Sequence, residues 1–195
     1  MKVSNTTTDL LTQADKYKRK GDFQAAIDTL HKLIMHEPHC SEAYEELGDN
    51  YLSIRQMEKA EKALLQALLI NPQSANAHYL VGFVYSLGQK WFKSVDHLCL
   101  ADGIKPNHPE ILRCLGWALY NQARKNQGLA ILERSQTLSP NDQNILCDLG
   151  VCYMNNTEFD KAETTFKKVI ELNPNSEQAN ECFKFLEMLK KCQLA

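Results

Sequence analysis

His36, His39 and Cys40 are the densest group of metal-ligand side chains in the chain, with His31 a little before them. Imidazole and thiolate together suit zinc, but zinc sites are built on recognisable ligand-pair spacings, and none is complete here. The four residues fall in and before a turn between two helical stretches, where polar residues are expected in any case. The expectation is therefore no metal, and a metal- or thiol-dependent role at His36, His39 and Cys40 stands as the rival reading. His97 and Cys99 make a sparser pair of the same kind. The seven cysteines, at 40, 99, 114, 147, 152, 182 and 192, are odd in number and none stands in a C-x-x-C pair. They read as reduced thiols, most of them small hydrophobes in a core. Cys114 and Cys147 are the two that the rival reading would recruit. No G-x-x-x-x-G-K-[ST], G-x-S-x-G or H-E-x-x-H occurs. The chain thus reads as neither an enzyme nor a cofactor protein.

Composition narrows the class further. Of 195 residues, 44% are apolar and 24% charged, with 22 Lys plus Arg against 24 Asp plus Glu. A net charge of -2 and a pI of about 6.3 argue against a protein that grips phosphate backbones, which needs a basic stripe. The expectation is no nucleic acid partner. No stretch approaches the roughly 20 apolar residues of a membrane span, so no membrane insertion is expected either. The amino terminus, MKVSNTTTDLL, lacks the apolar run of a secretory signal, which points to a cytoplasmic protein. Without export the sequons at Asn5 and Asn155 carry no weight. Six prolines and eight glycines, nowhere concentrated, leave no linker and predict one domain over 1–195.

The elements that must position these side chains are set by a period. Pro38, Pro72, Pro106, Pro140 and Pro174 are spaced 34 residues apart. Ala14, Gly48, Gly82, Gly116 and Gly150 keep the same step, as do Tyr17, Tyr51, Tyr85, Leu119 and Tyr153. A period of this length, sustained over five copies, marks a solenoid. In the second copy Tyr44, Leu47 and Tyr51 line one face of a helix over 41–54, and Ala60, Leu64 and Ala67 one face of a helix over 57–70. Gly48 and Ala60 are small where two backbones must approach. Asn71-Pro72 ends the second helix, and Ser74, Asp142 and Ser176 are placed to cap the next ones.

Tyr44, Leu47, Gly48, Tyr51, Ala60, Leu64, Ala67 and Pro72 together resemble the tetratricopeptide repeat family. The fifth copy repeats the match with Leu146, Leu149, Gly150, Tyr153, Ala162, Phe166 and Pro174. The resemblance implies an all-α fold, a right-handed solenoid of antiparallel helix pairs wound into a superhelix with about eleven helices. Repeats fall at about 7–40, 41–74, 75–108, 109–142 and 143–176, with a capping helix over 177–192. The fourth copy departs most, with Leu119, Gly128 and Ser135 in place of Tyr and two Ala, and its second helix is expected to be the least stable element. Asn180, Lys184 and Glu187 on the last helix suit the end of an array.

The resemblance also implies a concave surface lined by the first (A) helix of each pair. Its register assigns Glu42, Glu45, Glu46 and Asp49 to an acidic, solvent-exposed stretch. Tyr79, Phe83, Arg113, Trp117, Tyr120, Val151, Met154 and Phe185 form the aromatic and apolar remainder. Apolar residues that monomer packing does not use mark partner sites. The reading is a protein–protein interaction scaffold or adaptor, with a chaperone for a specific apolar segment as the alternative. The partner would be a peptide or helix, basic at one end and apolar along the rest, and self-association is a further possibility. The Lys, Asn and Arg set of the family's carboxylate-clamp chaperone adaptors is not present.

Overall fold

The computed structural model describes residues 5–193, and these contain eleven α-helices and no strand. They are α1 (Asn5–Arg19), α2 (Phe23–His36), α3 (Ser41–Ser53), α4 (Met57–Ile70), α5 (Ala75–Leu87), α6 (Trp91–Ile104), α7 (Pro109–Asn121), α8 (Lys125–Leu138), α9 (Gln143–Asn155), α10 (Phe159–Leu172) and α11 (Glu177–Gln193). This is the all-α solenoid that the repeat implies.

The 34-residue step is visible in the backbone. Each second helix ends two residues before a repeat proline, with its C-cap on the residue between. The N–H groups of Glu37, Asn71, Lys105, Ser139 and Asn173 still reach back to the carbonyls of Leu33, Ala67, Ala101, Ser135 and Val169, and the proline prevents another turn. Ser74 and Asp142 accept backbone N–H groups at the starts of α5 and α9, and Pro109 occupies the first turn of α7, where its missing N–H costs nothing. The tight turn from first to second helix uses a left-handed residue at one register position throughout: Gly21, Arg55, Gln89, Ala123 and Thr157, with φ between 54° and 77°.

The chain packs as two compact units that divide between Lys105 and Pro106. In the first, α1–α2, α3–α4 and α5–α6 are hairpins, with α2 also against α3 and α4 against α5. Its core includes Leu30, Leu33, Leu47, Leu64 and Val81, all buried. In the second, α7–α8 and α9–α10 are hairpins, α8 packs on α9, and α11 closes on α10 and α9. Leu132, Ile145, Leu149, Phe166 and Leu186 fill its core with no exposed surface. Tyrosine hydroxyls tie a first helix to the preceding second helix. Tyr51 meets His31 at 3.1 Å, Tyr85 donates to Glu61 at 3.1 Å, and Tyr153 donates to Glu133 at 2.8 Å.

One part-buried histidine pair makes the third repeat sensitive to acid. His78 on α5 is buried, and its Nε2 lies 3.2 Å from the Pro72 carbonyl. A carbonyl only accepts, so Nε2 carries the proton and Nδ1 is the acceptor for His97 Nδ1–H, 3.0 Å away on α6. Burial lowers the His97 pKa, and His78 and Lys93 lower it further against the opposing charge of Asp96. A base whose folded pKa lies below its unfolded value binds more protons when unfolded. The stability it contributes is therefore present above about pH 6.5 and lost as pH falls through the depressed folded value. Thermal melts should show the melting temperature falling as pH drops below about 6.5, and His97→Gln should flatten that slope. An unchanged slope in the variant would remove the pair from the account.

Candidate protein-interaction surfaces

Each unit presents a face built by its first helices. In the first unit, Lys18 of α1 pairs with Glu46 at 2.9 Å and Asp49 at 2.5 Å on α3. Burial opposes the Lys18 charge, but Asp49 and Glu46 more than offset it and raise its pKa. Glu45 of α3 accepts from Ser74 Oγ at 2.6 Å and Asn76 Nδ2 at 2.9 Å at the start of α5. The four acids are thus not a uniformly exposed row. Glu42 is exposed, whereas Glu45, Glu46 and Asp49 are half-buried and tie α3 to its neighbours. The register places a carboxylate on a face but does not show the cation one repeat away. Ser74 was legible only as a helix cap, and its bond to Glu45, like those of Lys18 and Asn76 to the α3 acids, joins residues 28 to 31 apart. Beyond the acids, Tyr79 and Phe83 of α5 stack at 6.4 Å between centroids with an interplanar angle of 22°, and both remain partly exposed.

In the second unit, Arg113 of α7 is a structural tie. Its Nε and Nη2 donate to both oxygens of Glu110, at 2.8 and 2.6 Å, and Nη1 donates to Asp148 of α9 at 2.6 Å. Trp117 and Val151 are partly exposed over the core, and Phe185 on α11 is 52% exposed. Tyr120 and Met154 depart from the expected lining. Tyr120 is buried, and its hydroxyl donates to the Cys152 carbonyl at 3.1 Å and to Asn156 Oδ1 at 2.7 Å. Met154 is buried in the same apolar cluster as Leu186. Both stand in the last turn of a first helix, where packing within the unit covers them.

The chemistry of the rival reading finds no geometry. Among the described residues no three His, Cys, Asp or Glu side chains are grouped to hold a metal ion. His36 and His39 are exposed, and burial raises the pKa of Cys40. All seven cysteines are free thiols. Burial pushes the Cys114 thiol up to about 12 and Cys147 up to about 11, which suppresses the thiolate that nucleophilic or metal chemistry requires.

The first-helix and second-helix alternation, the register of small residues and these paired faces match a known repeat. A tetratricopeptide repeat model matches residues 18–82 and a second matches 143–176, together about half of the chain. The chain belongs to the tetratricopeptide repeat family. The type IV pilus assembly protein PilF of Pseudomonas aeruginosa is 29% identical over 136 residues, covering 69% of this chain and 54% of that protein. A solved structure of that PilF overlays with a TM-score of 0.81 at 14% identity, covering 95% of this chain and 85% of the other. A chain of the APC/C hetero-tetramer Cut9–Hcn1 gives 0.84 at 16% identity, over 91% of this chain and 35% of that one. YrrB, described as a tetratricopeptide repeat protein with an unusual peptide-binding site, gives 0.69 at 18% identity over 90% of both chains. The chain spans about half the length of its pilus assembly relative, and among the described residues no helix is long and apolar enough to cross a membrane.

Proposed function

We propose that this chain is an interaction scaffold that holds a segment of a protein partner against its first-helix faces and performs no chemistry of its own. The observation that carries the reading is the Tyr79–Phe83 stack, two rings left partly open on α5, in a unit whose α3 carries the exposed carboxylate of Glu42. Partly exposed aromatic residues of this kind anchor interfaces. In the second unit Trp117, Val151 and Phe185 offer a comparable apolar surface. Family membership supports protein binding as the class of function, and YrrB shows that the fold can carry a peptide site. A bound segment would be extended or helical, apolar where it meets the rings, and basic where it meets Glu42. Three of the four acids already have internal partners, so the basic requirement is modest. Free thiols in number fit a reducing, cytoplasmic setting.

Peptides selected from a random displayed library on the full chain test this. Enriched sequences should combine aromatic or aliphatic residues with Lys or Arg, and Phe83→Ala should cost at least tenfold in their affinity. Enrichment that Phe83→Ala leaves intact would move the site elsewhere.

A further inference from the structure

The second repeat carries a notch of about 270 Å³ between α3 and α4. Tyr44, Leu47 and Tyr51 of α3 and Ala63 of α4 give it an apolar floor, and Lys59, Lys62 and Gln66 of α4 stand at its rim. None of the acids of the first-helix face lines it. Lys59 Nζ lies 5.5 Å from the centre of the Tyr51 ring, and both lysines are exposed. Among the described residues neither lysine forms an ion pair. Of the nearby carboxylates, Glu58 stands exposed on α4 one turn before Lys62 and does not line the notch. Glu61 accepts the Tyr85 hydroxyl and pairs with Lys90, and Asp28 accepts an amide hydrogen bond from Gln24.

The repeat supplies an internal comparison. Three periods later Tyr153 and Lys161 occupy the positions of Tyr51 and Lys59, and they line a notch of about 380 Å³ with Gln136, Asp160, Thr164 and Thr165. There Thr164 and Thr165 replace Lys62 and Ala63, Asp160 stands at the register position of Glu58 and pairs with Lys190 at 3.0 Å, and Lys161 pairs with Glu158 at 2.6 Å. The solenoid geometry builds the notch in both places. In the second repeat the floor is apolar and the two rim lysines form no ion pair, while in the fifth the notch carries two threonines and its one lysine is paired.

An apolar floor under two unpaired cations is complementary to an apolar side chain carried beside carboxylates. We propose that the notch is a second docking site, separate from the first-helix faces, for a partner segment in which one aromatic residue is flanked by Asp or Glu. The ring lies on Leu47 and Ala63 beside the tyrosines, and the flanking carboxylates reach Lys59 and Lys62. Because those ion pairs are exposed, burial of the ring supplies most of the affinity and the charges supply the selection. The volume admits one side chain rather than a helix.

The test is an amide chemical-shift titration of the full chain with acetyl-Glu-Asp-Phe-Glu-amide and with the charge-reversed acetyl-Lys-Lys-Phe-Lys-amide. The acidic peptide should shift signals over 44–66. The basic peptide should bind there at least tenfold more weakly. The double variant Lys59→Glu, Lys62→Glu, with both changes on exposed positions, should reverse the preference. Equal binding of the two peptides, shifts centred on Tyr79 and Phe83, or no shift at millimolar peptide would overturn the proposal. The peptide comparison is made on the unaltered chain, so it does not depend on how the variant folds, and loss of binding at Phe83 leaves it untouched.

Discussion

Arg113→Met is expected to lower the stability of the second unit by roughly 3 kcal/mol at neutral pH, the lower end of what removing one partner of a buried ion pair costs. The guanidinium is mostly buried, with 14% of its side chain exposed, and Asp148 is nearly as enclosed at 18%. Its removal leaves the enclosed Asp148 of α9 without its ion pair. Burial already pushes the Asp148 carboxyl up, and Arg113 holds it down. Without Arg113 the folded pKa of Asp148 rises further above its unfolded value. Protonation then favours the folded variant, so its deficit should be largest at neutral pH and shrink as pH falls toward the carboxylate range. Arg113→Met combined with Asp148→Leu should recover most of the loss, because an apolar replacement of a whole buried pair is often neutral or better. Urea unfolding at pH 7 and pH 5 measures all of this. A deficit below about 0.5 kcal/mol, or one that grows with acid, would return Arg113 to the solvent-facing role that its register suggests.

Gly128→Ala should destabilise the same unit by about 2 kcal/mol, against the sense of helix propensity. Ala is better than Gly in a helix interior by about 1 kcal/mol. A Cβ at Gly128, however, would lie 2.5 Å from Tyr120 N, 2.6 Å from Gly116 O and 2.9 Å from Tyr120 Cα. All three are backbone atoms and cannot rotate aside. Forcing α7 and α8 apart is overpacking, which costs about 1–3 kcal/mol and here belongs at or above the upper end. Gly103 of α6 is the matched control. It is exposed, nothing lies within 4 Å of its added Cβ, and its φ is ordinary. Gly103→Ala should therefore stabilise by about 0.5–1 kcal/mol. Chemical denaturation of the two variants beside the parent decides the matter. Stabilisation by both would mean that α7 and α8 are not in close contact.

Gly128 illustrates how far the sequence carries. Composition and propensity mark it as a weakness of the fourth repeat, while the packing shows a Gly116–Gly128 crossing with no room for a side chain. Helix number and boundaries were legible because prolines and small residues repeat at one step and each has a local cause. The left-handed turn residues were not, since of Gly21, Arg55, Gln89, Ala123 and Thr157 one alone is glycine. The register's outward direction agrees with the partial exposure of Phe83, Trp117 and Val151. The register failed for Tyr120 and Met154, because a helical position says which way a side chain leaves its own helix and not what covers it. Tyr120 meets the Cys152 carbonyl and Asn156, and Met154 enters the cluster that holds Leu186. Neither partner is visible from α7 or α9 alone.

The same distinction selects the most direct test of the scaffold. Trp117 packs partly on the core of its unit, so truncating it mixes stability with binding. Phe83 is partly exposed and stacks on Tyr79. The measurement is the dissociation rate of a selected peptide from Phe83→Ala at low and high salt, with a thermal melt of the same sample. The scaffold account predicts dissociation faster by a factor of ten or more at both salt concentrations, about the 2 kcal/mol of a truncated aromatic anchor, with the melting temperature within a few degrees of the parent. A melt lowered as far as that of Gly128→Ala, or an unchanged dissociation rate, would contradict it.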